Sequence, residues 1–100
     1  MDEDLVAAVE LDTEGRLHVF PVSRSFPYAY REAMEVSWDP QRRSLHSPPP
    51  RAWSHARWLQ QILAVAATQG VRLVIHPGTE WLGVPEPVRV ELLRVAGQDA

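Results

Sequence analysis

The chain has 100 residues, 45% hydrophobic and 23% charged, the balance of an ordinary folded domain, which excludes wholesale disorder, collagen-like and low-complexity classes. It contains neither cysteine nor lysine, so disulfides, thiolate chemistry, thiolate zinc sites and Schiff-base catalysis are excluded as well. A formal net charge of −3 offers no global field for nucleic acid or anionic lipid, although residues 1–23 carry −5 and residues 24–57 carry +3.

The opening Met1-Asp2-Glu3-Asp4 is the reverse of the basic start of a secretory signal. No apolar run approaches the roughly 20 residues needed to span a bilayer, and the chain is expected to be cytoplasmic and free of membrane contact. Leu5 to Leu11 is rich in Val and Leu, Asp12-Thr13-Glu14-Gly15 supplies turn residues, and Leu17 and Val19 alternate with His18, Phe20 and Val22, which predicts a β-hairpin. Gly15 is the candidate for a positive-φ position in its turn, since only glycine takes that conformation without a Cβ penalty.

Ser23 to Tyr30 has no sustained period and reads as a connection. Met34, Val36 and Trp38 then alternate with Glu35 and Ser37. Asp39-Pro40 has the chemistry of the first two turn positions, and Arg43 to His46 returns with Leu45 inward, which predicts a second hairpin. Ser47-Pro48-Pro49-Pro50 stops the strand, because consecutive prolines remove ladder donors. From Arg51 to Gln69 the apolar positions Trp58, Leu59, Ile62, Leu63, Val65 and Ala66 recur at three- and four-residue spacing. They predict an amphipathic helix over 51–69 closed by Gly70, with proline tolerated in its first turn. Val71 to Ile75 predicts a short strand, and strand, helix, strand invites a parallel crossover. His76-Pro77-Gly78 is a turn, Thr79 to Val84 is open between strand and loop, and Val88, Leu92, Val95 and Ala96 favour a short C-terminal helix over a strand.

The four imidazoles, His18, His46, His55 and His76, include no pair at the spacing that puts two ligands on one helix face, and no metal site is expected. No phosphate loop, nucleophile elbow or dinucleotide fingerprint is present, so no cofactor is expected either. Glu80 beside Trp81 reads first as an exposed turn carboxylate, and second as one desolvated against an indole.

The aromatics depart furthest from an average surface. Trp38 and Trp58 are expected in the core, facing each other between sheet and helix, while Trp53 and Trp81 are open between core edge and binding surface. Tyr, Trp and Arg combine large area, few rotatable bonds and a polar tip, the properties of interface anchors. The candidate binding set is therefore Tyr28, Arg31, Arg51, Trp53, His55, Glu80 and Trp81. Stacking of single-stranded nucleic acid on such rings is disfavoured by the net charge and by the lack of an Arg-rich strand face.

The stretches Phe26-Pro27-Tyr28-Ala29-Tyr30-Arg31-Glu32-Ala33, Pro50-Arg51-Ala52-Trp53-Ser54-His55 and Thr79-Glu80-Trp81-Leu82-Gly83-Val84-Pro85 look like those of small uncharacterised bacterial α+β proteins carried on integron gene cassettes. That resemblance implies a compact, self-associating protein and transfers no functional residue.

The reading is one α+β domain over 1–100, with an antiparallel or mixed sheet of four to five strands, the 51–69 helix on one face and a short C-terminal helix. Its expected function is a non-catalytic binding or assembly module, self-associating through a sheet edge that a second copy can satisfy, with a small molecule or another protein as further partners. Two alternatives compete with it: a small enzyme using His76, Glu80 and His55 in one cleft, or a binder of cationic or flat aromatic molecules at Trp53 and Trp81.

Overall fold

A computed structural model describes residues 1–32, 35–49 and 52–98. Its centre is a ten-residue strand, β1 (Asp2–Leu11), which pairs on both sides. On one side β2 (Leu17–Pro21) returns antiparallel, with Val9 opposite Val19 and Leu11 opposite Leu17. The turn between them places Gly15 at φ 82°, and the Asp12 carboxylate accepts the Glu14 and Arg16 N–H groups. A one-residue irregularity at Ala7 bends the pairing, so that Val6 and Val9 both face the core.

Beyond β2 lie β4 (Ser44–His46) and, at the edge, β3 (Ser37–Asp39). This second hairpin turns as expected on Asp39-Pro40, and Asp39 accepts the N–H groups of Gln41 and Arg42. Its strands are short. Met34, expected to start the alternation, lies outside the described residues.

The other side of β1 is shared by two parallel strands laid end to end. β5 (Val71–Val74) pairs with Asp2 to Leu5 and β6 (Glu80–Leu82) pairs with Ala8 to Glu10. Thr79 bridges the gap between them, its hydroxyl donating to the Val6 carbonyl at 2.8 Å and accepting the His76 N–H at 3.1 Å. The sheet is thus mixed and six-stranded in the order β3-β4-β2-β1-β5, with β6 also on β1. Thr79 to Val84, open between strand and loop in the sequence, supplies the strand beyond the expected four or five.

Helix α1 (His55–Thr68) packs its buried face, Trp58, Leu59, Ile62, Leu63, Val65 and Ala66, on one side of the sheet. It starts four residues later than the expected 51, because Ser54 caps it: the Ser54 Oγ accepts the Arg57 N–H at 3.2 Å. The first turn therefore holds no proline, and Pro50 and Arg51 lie outside the described residues. Gly70, at φ 82°, follows the helix end, and its carbonyl accepts the Asp2 N–H at 3.1 Å. The expected parallel crossover is present in altered form: the chain leaves β4, passes through α1 and returns as β5 beside β1, with β2 and β1 between it and β4. Helix α2 (Glu86–Gln98) lies against α1, with Leu92 and Val95 buried in the same single core cluster.

Candidate functional site

The sequence-predicted residues divide between the two ends of α1. His55, on its first turn, reaches the carbonyl of Gly15 in the β1–β2 turn at 3.1 Å. The single-turn helix Ala29–Glu32 lies near the other end, where the Gln69 amide donates to Glu32 at 2.7 Å. There Arg31 stacks over Tyr28 at 4.4 Å, in a contact that includes neither Trp53 nor His55. Arg51 lies outside the described residues. Glu80 is in register with Ala8 and is exposed. By strand alternation it points to the sheet face opposite that of Trp81, which is in register with the core residue Val9 and carries Arg89 over its ring at 5.4 Å. His76 is held in its own turn, its Nδ1 accepting the Gly78 N–H at 3.1 Å. His55, on the helix-covered face, and Glu80, on the other, therefore do not form one cleft with His76.

A different Asp–His–Ser chain was not foreseen. His18 Nε2 lies 2.8 Å from Asp12 Oδ2 and its Nδ1 lies 3.1 Å from Ser44 Oγ, on the sheet face away from α1. Burial pushes the Asp12 carboxyl up, but the His18 ring, the Arg16 N–H and the nearby positive charges outweigh it and hold that carboxyl below its ordinary value. The arrangement has the residues of a nucleophilic triad without its access: Ser44 is 0% exposed and His18 5%. With the nucleophile sealed, the chain ties the β1–β2 turn to β4 and leaves no room for a reacting carbonyl. The signal in the sequence was a polar residue at each outward strand position, which also describes any solvated face.

Beside Trp53 the structure opens a cavity of about 380 Å³ lined by Glu35, Pro48, Pro49, Ala52, Trp53 and Trp58. Trp81 is not part of it. The two indoles lie with centroids 4.6 Å apart and tilted by 44°, and Arg57 stacks over Trp53 at 4.3 Å. Trp58 thus faces Trp53 rather than Trp38, whose ring meets Phe26 edge-on at 5.8 Å. Trp58 is only 5% exposed and its indole Nε1 has no hydrogen-bond partner. Glu35, at φ 61°, is exposed at the rim.

A second, apolar groove of about 490 Å³ runs along the free edge of β5, walled by Leu63, Ala64 and Ala67 of α1 and by Leu93, Ala96 and Gly97 of α2. Met1 and Leu93 stand exposed beside it. Among the described residues no group of three or more His, Asp or Glu side chains is placed to hold a metal ion. No helix among them is long and apolar enough to cross a membrane.

The fold and these surfaces define a small α+β protein with a cavity beside Trp53 and Trp58 and an open edge on β5, and with His55 and Glu80 on opposite faces of the sheet. The chain belongs to the family described as Integron Cassette Protein Hfx_Cass5, whose pattern it matches over residues 4–79. It is similar to the solved structure of the Hfx_Cass5 integron cassette protein from the mobile metagenome of the North West Arm sewage outfall: 57% identity, 97% of this chain and 98% of that one covered, and a TM-score of 0.51. No curated protein matches the chain.

Proposed function

We propose that the protein is a non-catalytic assembly module that pairs with a second copy of itself along the outer edge of β5. The observation that supports this is the free edge of β5 beside the apolar groove: among the described residues β5 pairs with β1 alone, so its outward N–H and C=O groups have no strand partner, and Arg72 to Ile75 line the groove.

A second copy fits that edge by symmetry. An antiparallel pairing of β5 with its copy, centred on Leu73, sets Val71 against the copy's Ile75 and Arg72 against its Val74, so each facing pair shares one side of the sheet. Residues Val71, Leu73 and Ile75 then continue one apolar row across the two-fold axis, and the two grooves adjoin. Each groove offers both parts of a contact, the projecting Leu93 and the hollow over Ala64, Ala67 and Gly97. The strand contact alone is small, so the helices must bring the interface to the total of about 1,000 Å² that a specific one requires.

Sedimentation velocity at tens of micromolar tests the reading. A dimer is expected for the native chain, and a monomer for Leu93→Arg, which charges a residue already 43% exposed and so spares the core. A native monomer at that concentration overturns it.

A further inference from the structure

We draw no further inference here: the strongest candidate, the apolar row that Val74 of β5, the exposed Leu5 of β1 and the exposed Val22 just past β2 form on the sheet face away from α1, carries nothing because nothing in the structure shows what covers it.

Discussion

Thr79 carries the junction of the sheet, and Thr79→Val is the substitution that isolates its hydroxyl. Valine keeps the branched shape, so packing and strand preference barely change, while two contacts vanish together: the donation to the Val6 carbonyl at 2.8 Å and the acceptance of the His76 N–H at 3.1 Å. Thr79 is 6% exposed, so solvent does not readily replace either contact. Each lost bond is worth about 1 kcal/mol and each stranded buried group costs about 1–3 kcal/mol. The Val6 carbonyl retains a second lone pair and His76 is half-buried, which pulls the total to the lower part of that range. The expected loss is about 2–4 kcal/mol, against roughly 1 kcal/mol for Thr79→Ser, which sacrifices only a methyl group. Urea unfolding followed by tryptophan emission, at a protein concentration low enough to keep the chain monomeric, measures both. If Thr79→Val unfolds within about 0.5 kcal/mol of the native chain, the size of an ordinary surface substitution, the hydroxyl does not hold β5 and β6 to β1.

Three further expectations follow from the same reasoning. The buried Asp4 carboxyl is pushed up by desolvation, but the Arg24 and Ser23 N–H groups and the Ser23 hydroxyl outweigh that and hold it below its ordinary value, so its stabilisation is complete above the unfolded-state value near 3.8 and is lost as pH falls through the lower folded-state value. Asp4→Asn should therefore flatten the acid limb of a stability-versus-pH curve while lowering stability at neutral pH, and an unchanged acid limb would contradict the assignment. Ser54→Ala should cost about 1 kcal/mol in a thermal or urea melt through the lost cap on the Arg57 N–H, and Ser54→Asp should preserve stability. Gly83→Ala should be more severe than an ordinary surface change, because the residue sits at φ 66° and an added Cβ would lie 2.8 Å from the Leu11 carbonyl oxygen; a melt within about 0.5 kcal/mol of native would show that the loop yields.

The parts of this fold that were legible in the sequence are those set by local chemistry. Gly15 marked the first turn, Asp39-Pro40 the second, and the spacing of Trp58, Leu59, Ile62, Leu63 and Ala66 marked the buried face of α1. The departures arise where a distant partner decides. The first strand was expected from Leu5, yet Asp2 to Asp4 belong to β1 as well, because the Ser23 and Arg24 N–H groups satisfy Asp4 and β5 pairs alongside. Ala52 and Trp53 continue the apolar spacing of the helix, and only the capping geometry of Ser54 excludes them.

The aromatic site was half legible. Trp53 drew attention through its place beside prolines, but its expected companion Trp81 belongs to β6, and the true companions are Trp58 and Glu35. Pro48 and Pro49 after β4 were the available clue, since they stiffen one wall of the cavity next to two tryptophans five positions apart. Nothing local could disclose Glu35, whose strained backbone and nearness to the cavity depend on how the chain enters β3. The Asp12, His18 and Ser44 chain was invisible for the same reason: its members sit on separate strands and turns, joined only by register.

Hydrogen exchange of the β5 amides as a function of protein concentration tests the assembly most directly. Protection of the outward-facing amides within Val71–Val74 should rise as the concentration enters the tens-of-micromolar range and should stay low at all concentrations in Leu93→Arg, with the edge strand β3 unaffected throughout. Protection of β5 that is independent of concentration, or that rises equally on β3, would contradict pairing of two copies along that edge.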